Sequence, residues 1–476
     1  MLSGMITACR VKRIAKAAAY ILAALIILLA AAVILPLLHH KKVSSAYRAS
    51  FSAADCYSES TGSERVACID DNVQALVYRL MLIEQAQEEI VLCTFDMKDD
   101  ESGKDIMATL LAAADRGVEV KLLIDYATFA VHLADSEVFQ ALASHPSVQV
   151  KRYNPIRLLT PWQSMLRLHD KYLIADETAY ILGGRNTYDL FLGDYSEVKN
   201  IDRDLLVYQN EPSSDSSMGQ LRRYFDQIWS LKDCADYTPA VHDPAPAQEA
   251  LRGRYEQLKT AYEAAFTEPD WQAITMQTNK ITLLSNPPQV ENREPTLWYS
   301  LTELMGQGQQ AVVITPYIIC SGDMYKDLSR LCGGGTDVQI ITNAVESGAN
   351  PFGCSDYQNQ RQNIRRTGVQ VYEFSGGDSL HTKTVLVDDR MSIVGSFNMD
   401  MRSVYLDTEL MLAVDCEGLN RALREQAEDA MEQSRTLAED GTYLFGPRFV
   451  PRELDTGTKM KYTLLRLLSP LIRHLL

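Results

Sequence analysis

Two stretches of this sequence carry the same polar residues at the same spacing. Leu168 to Asn186 reads LHDKYLIADETAYILGGRN, and Leu380 to Asn398 reads LHTKTVLVDDRMSIVGSFN. Each gives a histidine, one residue, a lysine, four residues, an aspartate, six residues, a Gly-Gly or Gly-Ser pair, one residue and an asparagine. At roughly one position in twenty per residue type, even a single such string is rare, and a pair excludes accident. The flanking residues are apolar and strand-like, so each copy keeps a cation where burial of charge is costly.

The spacing narrows the chemistry. Residues two apart on a strand share a face, which pairs His169 with Lys171 and His381 with Lys383. Gly183, Gly184, Gly395 and Ser396 add little bulk, so Asn186 and Asn398 can turn back towards those pairs. Two imidazoles, two ammonium groups and two carboxamides suit a phosphate diester, whose growing negative charge they stabilise without a metal or other cofactor. One neutral imidazole attacks phosphorus while a protonated one gives its proton to the leaving alkoxide, and a pKa near 6.5 makes both states accessible. A phosphohistidine follows, and the acceptor, water or an alcohol, decides between hydrolase and transferase.

Such groups need rigid strands to hold them. QALVYRLMLIEQAQ has helical apolar spacing, EIVLCTF and VEVKLLID read as strands around the helix IMATLLAAADRG, and VQVKRYNP (148–155) adds a strand before the first motif. The second half replays the order with AVVITPY, MYKDLSRLCGGG, DVQIITNA and VQVYEF before the second motif. A strand-helix-strand unit closes as a parallel sheet. The expected fold is therefore α/β: two duplicated repeats, each a mainly β sheet flanked by helices. DYTPAVHDPAPAQ (236–248) reads as a linker ahead of a helix, EALRGRYEQLKTAYEAAF.

Ala17 to Leu38 is uncharged and mostly Leu, Ile and Ala, long enough to cross about 30 Å of hydrocarbon. It is a membrane span or a signal peptide; its length and the HHKK after it favour an uncleaved anchor, while SSA (44–46) keeps cleavage open. Arg10, Lys12, Arg13 and Lys16 before the span and Lys41, Lys42 and Arg48 after it give a small charge bias, read as a cytoplasmic N-terminus with the globular part on the outer side of the cell membrane. The expected divisions are a basic segment (1–16), the transmembrane helix (17–38), a juxtamembrane segment (39–70), a first repeat (71–235), a linker and helix (236–275), a second repeat (276–450) and a basic apolar tail (451–476).

The formal net charge of the 476 residues is −16, and the chain has no Asp or Glu before Asp55, so the globular part is more acidic than the whole. That field repels polyanions and argues against nucleic acid as a partner. The nine cysteines show no metal-ligand spacing; Cys56 and Cys68 bracket a polar loop and are a candidate disulfide, with reduced core thiols the alternative. KMKYTLLRLLSPLIRHLL (459–476) fits either a broken amphipathic helix on an anionic bilayer, with Pro470 the break, or a helix docked on the core.

The paired motif resembles the phospholipase D superfamily, and the flanks GGRNTYDLF, TPY and GSFNMDMRSVYLDTEL are similar to its cardiolipin synthase branch. The resemblance implies pseudo-twofold repeats with one active site at their interface. It implies His169 as nucleophile and His381 as acid/base, with Lys171, Lys383, Asn186 and Asn398 on the phosphate. It further implies an acidic residue orienting each histidine: Glu409 for one, and Asp204 for the other, with Asp202 its rival. Asp176 and Asp388 are assigned a structural role, and Asp407 stands where the family commonly has asparagine. NAVESGANPFGCSDYQNQR (343–361) departs from the family pattern and is expected as a loop near the site's mouth. The implied activity is a membrane-bound phosphatidyltransferase, taking a phosphatidyl group from a glycerophospholipid donor to an alcohol such as phosphatidylglycerol. A phospholipase D yielding phosphatidic acid is the alternative, ahead of a nuclease or a non-catalytic lipid-binding scaffold.

Overall fold

The computed structural model describes residues 2–348, 350–438 and 441–476, with side chains from Ile14 onward. Among the described residues, two nine-stranded mixed sheets form the body. The first runs Met276–Gln277, Glu64–Ile69, Asp204–Gln209, Ala179–Gly183, Tyr172–Ala175, Glu89–Thr94, Glu119–Asp125, Val148–Tyr153, Cys234–Asp236. The second runs Lys280–Ser285, Leu410–Asp415, Met391–Gly395, Thr384–Val387, Gln310–Ile314, Asp337–Asn343, Gln370–Phe374, Ser434–Leu437, Tyr443–Phe445. In each, three parallel strands joined by helices meet an antiparallel hairpin, and that hairpin is the repeated motif. The α/β duplication read from sequence is the fold.

Strand alternation sorts the side chains into two layers. In the first repeat Ile90, Leu92 and Leu122 turn outward onto Leu76, Leu80, Ile106 and Leu110 of the helices Asn72–Gln85 and Glu101–Asp115. Val91, Cys93 and Leu123 turn inward and join one hydrophobic cluster with Val312, Ile314, Val385 and Val394 of the second repeat. The repeats therefore share a continuous core, which holds their motifs in a fixed relation.

Several expectations need correction. Glu64–Ile69, expected in the juxtamembrane segment, is a strand of the first sheet, paired antiparallel with Asp204–Gln209. Its run ERVACI mixes polar and apolar residues and lacks the continuous apolar signal of the central strands. Met276–Gln277 adds to the edge of the first sheet, so the crossing to the second falls after Gln277. Asn343–Arg361 is only partly a loop: from Pro351 to Arg365 it is a helix, while Ala349 lies outside the described residues. Cys56 and Cys68 are free thiols, with Cys68 donating to Asp70 at 3.1 Å.

The N-terminal helix spans Leu2–Ile34, and Ile14–Leu37 is long and apolar enough to cross a membrane. The basic side chains through Arg13 lie outside the described residues. The C-terminal helix is unbroken from Thr456 to Ile472 despite Pro470, and it lies against Pro351–Arg365. Proline removes the N–H that would bond the carbonyl four residues back; that carbonyl, of Arg466, instead accepts Nδ2 of Asn359 at 2.8 Å.

Candidate active site

Each histidine sits just ahead of its hairpin, and the motif aspartate sits at the hairpin's far tip. Asp176 and Asp388 have positive φ, 51° and 45°. Asp176 accepts the backbone N–H groups of Gln87, Glu88 and Glu89 at 3.0, 2.9 and 2.9 Å, and Asp388 those of Gln309 and Gln310, each at 2.9 Å. These carboxylates tie the turn to the start of the neighbouring strand and do not bond either imidazole.

At the near end the glycines allow close approach. A Cβ on Gly183 would meet the backbone of Arg203 and Asp204, one on Gly395 the backbone of Leu410, and one on Gly184 the carboxylate of Asp202. The strand behind each hairpin therefore presses against it, carrying an acidic residue past the sheet's end.

The two repeats then cross. Leu168 pairs in parallel with Thr408, and Leu380 with Ile201. The backbone N–H of His169 donates to Oγ1 of Thr408 at 3.0 Å, and that of His381 to the carbonyl of Ile201 at 2.7 Å. The residue after each partner reaches the imidazole: Nδ1 of His169 is 2.9 Å from Glu409, and Nδ1 of His381 is 2.5 Å from Asp202. Each histidine is thus held by a carboxylate of the other repeat. An ionised carboxylate only accepts, so opposite ionised Glu409 or Asp202 each Nδ1 carries the hydrogen and each Nε2 is left for chemistry.

Asp204, expected to orient a histidine, does not. It sits within the sheet opposite Gly183 and Ile69, and its buried carboxylate takes Arg79 at 2.9 Å and Arg185 at 3.4 Å. Asp202, the rival, lies beyond the strand's end and directly after the residue that pairs with Leu380, which is the position Glu409 holds in the other repeat.

The two carboxylates differ in support. Glu409 also accepts the hydroxyls of Ser396 at 2.5 Å and Ser403 at 2.6 Å, whereas Asp202 accepts the N–H of Arg203 at 2.8 Å and faces Gly184 instead of a serine. Burial pushes Glu409 up to about 8. Burial works against ionised Asp202 too, but the charges of Lys383 and His381 outweigh it and hold that carboxyl below its usual range.

Burial, followed by the charge of Lys171, holds His169 well below the ordinary imidazole value. His381 is lowered to about 4 by burial and then by Lys383. The lysines feel the same desolvation: Lys383 falls to about 8, and Lys171 is lowered as well. Lys171 donates to the carbonyl of His169 at 2.5 Å, and Lys383 donates to the carbonyl of His381 while its Nζ lies 2.7 Å from Nδ1 and 3.2 Å from Nε2 of that ring. Phe95 and Phe191 set their edges against His169 and His381 at 5.1 and 5.0 Å.

An open pocket of about 290 Å3 joins the halves: His169, Phe95 and Arg167 from the first line it with Asn398, Tyr317 and Arg402 from the second. Arg402 is paired with Asp407 at 2.8 Å. Among the described residues, the carboxamide oxygens of Asn186 and Asn398 are both buried without a hydrogen-bond partner, a cost borne twice at equivalent positions. Phe95, Phe191, Ser403 and Thr408 were not singled out from the sequence; the last three lie within the flanks of the motifs, whereas Phe95 only ends the strand-like run EIVLCTF.

A family model described as "Cardiolipin synthase, PLD-like domain" matches residues 80–229 and 301–431. An uncharacterized protein of Helicobacter pylori (strain ATCC 700392 / 26695) is 25% identical over 422 residues, covering 80% of this chain and 82% of its own length. Cardiolipin synthase C of Escherichia coli (strain K12) is 26% identical over 391 residues, 74% of this chain and 81% of its own. The crystal structure of phosphatidylserine synthase from Haemophilus influenzae Rd KW20 matches at a TM-score of 0.60 and 17% identity, over 86% of this chain and 95% of that one, a likeness of fold.

Proposed function

The chain belongs to the family of cardiolipin synthase, PLD-like domains, and on that premise we propose that it is a membrane-bound phosphatidyltransferase acting on glycerophospholipid phosphodiesters. The observation that supports this reading is the crossed pairing of His169 with Glu409 and His381 with Asp202, which holds an imidazole of each repeat on a carboxylate of the other.

The phosphodiester binds between the buried lysines, Lys171 and Lys383, with Asn186 and Asn398 completing its contacts. Its negative charge offsets the ammonium groups that hold the imidazoles neutral, and His381, backed by ionised Asp202, takes up a proton. Nε2 of His169 attacks phosphorus; the P–O bond to the leaving alcohol breaks as Nε2–H of His381 gives that oxygen its proton. The products are a phosphatidyl group on His169 and a free alcohol. His381, now neutral, removes the hydroxyl proton of the acceptor, whose oxygen attacks phosphorus as the P–N bond breaks and His169 is restored. Preorganised cations and amides supply most of the stabilisation, since charge grows on the same phosphoryl oxygens in both steps.

Phosphatidylglycerol as acceptor yields cardiolipin; water in its place yields phosphatidic acid. The match to cardiolipin synthase C and the N-terminal apolar helix support the lipid alcohol. The test supplies proteoliposomes with labelled phosphatidylglycerol, with and without phosphatidylethanolamine. Labelled cardiolipin is expected; phosphatidic acid alone would assign a phospholipase D, and no turnover would remove both. Protease access to the globular part in intact cells tests its expected position outside the cell membrane.

A further inference from the structure

The C-terminal helix is apolar on two opposite sides. Tyr462 and Leu465 pack on the core of the body, and Ile472 is half-buried. Met460, Leu464, Leu467, Leu468 and Leu471, at i, i+4, i+7, i+8 and i+11, form a second stripe that stands exposed, Met460 by 73% and Leu467 by 72%. One apolar stripe suffices to dock a helix on its core; a second in water is unfavourable and marks a contact surface. From Thr456 to the last residue the chain has Lys459, Lys461, Arg466 and Arg473 but no acidic residue.

A second apolar surface lies nearby. Leu158 and Leu159, each 93% exposed, precede the turn Pro161–Met165, and that turn packs against the N-terminal helix. Both surfaces and the exit of the membrane helix converge on the short helix Met401–Tyr405. Arg402 donates to the carbonyls of Leu476, Leu475 and Met165 at 3.1, 3.1 and 2.8 Å. Tyr405 stacks on His40 at 3.9 Å, just past the end of the apolar span at Leu37.

The geometry points to a lipid-immersed collar: the Leu158–Leu159 loop and the outer stripe of the C-terminal helix enter the surface of the same leaflet that the N-terminal helix leaves. The partner is an anionic bilayer. Continuity with the membrane helix selects lipid over a second copy of this chain, and the all-basic charge of the tail selects an anionic surface. Arg402 also lines the pocket that holds His169, so the collar turns the pocket mouth towards the leaflet and lets an acyl-chained substrate reach it without entering water. That last consequence rests on the proposed reaction; the collar does not.

The test places tryptophan at Leu158→Trp, Leu467→Trp or, as control on the far helix Ala245–Ala261, Glu256→Trp, in the full chain reconstituted into vesicles of zwitterionic and anionic phospholipid. Lipids brominated near the top of the acyl chain are expected to quench the added fluorescence at 158 and 467 about twofold or more, and to leave 256 nearly unchanged. Equal quenching at all three positions overturns the collar. So does absence of quenching with a concentration-dependent dimer that Leu467→Glu abolishes, which would assign the stripe to a second copy. In a separate arm, Leu158→Glu with Leu464→Glu is expected to lower turnover of vesicle lipid about tenfold and to spare a monomeric short-chain phosphodiester. Quenching without any lipid turnover by the unaltered chain would refute the proposed reaction and leave the collar standing.

Discussion

Nδ1 of His169 lies 2.9 Å from Oε1 of Glu409, a carboxylate 240 positions further along the chain and in the other repeat. The reciprocal contact, His381 to Asp202, spans 179 positions. Neither repeat therefore holds a complete acid/base unit, and each imidazole is oriented only when both sheets close on their shared core.

Removing either imidazole should abolish phospholipid turnover, but the two losses should differ with the leaving group. A p-nitrophenyl phosphodiester needs little proton donation, so His381→Ala is expected to release nitrophenolate once and accumulate the phosphohistidine. His169→Ala should release none. Acid-labile label on the protein checks this, with the general-acid contribution expected at about 10²–10⁴-fold for the unactivated lipid.

Asp202 and Asp204 should separate cleanly. Asp202→Asn is expected to cost about 10²–10⁴-fold in kcat of the molecules that stay folded, because the amide mispositions His381 and its tautomer, along with some stability, because the depressed carboxyl also favours the folded state. Asp204→Asn instead leaves buried Arg79 and Arg185 without their carboxylate and should destabilise by about 3–5 kcal/mol. Calorimetry and kcat of the fraction that remains folded distinguish the two; equal effects on kcat would reinstate Asp204 beside a histidine.

The pH profile should be bounded by depressed groups. A nucleophilic imidazole works when neutral, and His169 is held well below 6.5, so the acid limb of kcat/KM is expected well below that value. His381 sits at about 4 in the free protein and gains its proton when phosphate binds, whereas Lys383 works when charged and sits at about 8, so kcat of the complex should fall as pH rises through that region. Lys383→Arg, which keeps its charge, should lose the alkaline limb even if its rate is lower. A profile flat through pH 9 in the unaltered protein would contradict the role of Lys383.

Ser396 and Gly184 occupy equivalent motif positions but should not be exchangeable. Ser396→Ala frees an oxygen of buried Glu409 and is expected to cost about 1.5–3 kcal/mol of stability, with a shift in the pH dependence of the His169 step. Gly184→Ser drives its Cβ into the Asp202 carboxylate and should be more damaging, visible as lost soluble expression or as an inactive fold.

Asp176→Ala is expected to lower the melting temperature through the loss of three backbone N–H acceptors, while kcat per folded molecule stays within about twofold, as for a change that touches no reacting group. A large drop in kcat at unchanged stability would move Asp176 into the site.

The sequence by itself determined the duplication, the strand order around each motif and the identity of the histidines, lysines and asparagines. These are local facts: two-residue periodicity places a face, and identical spacing in two halves leaves little freedom in what each strand presents. Glu409 was legible for a similar reason, through a distinctive flank. Which acidic residue serves His381 was not, because Asp202 and Asp204 are two apart in an extended segment and so look alike by periodicity. Only the pairing of Leu380 with Ile201 across the repeats puts Asp202 beyond the sheet's end, where His381 lies, and leaves Asp204 inside it with Arg79 and Arg185. The same holds for Phe95, Phe191 and Arg402, whose roles depend on which surfaces meet when the sheets pack, and for the strand Glu64–Ile69, whose mixed run gains its partner only from Asp204–Gln209. Contacts between distant segments are set by the shape of the shared core, and one-dimensional spacing does not encode that shape.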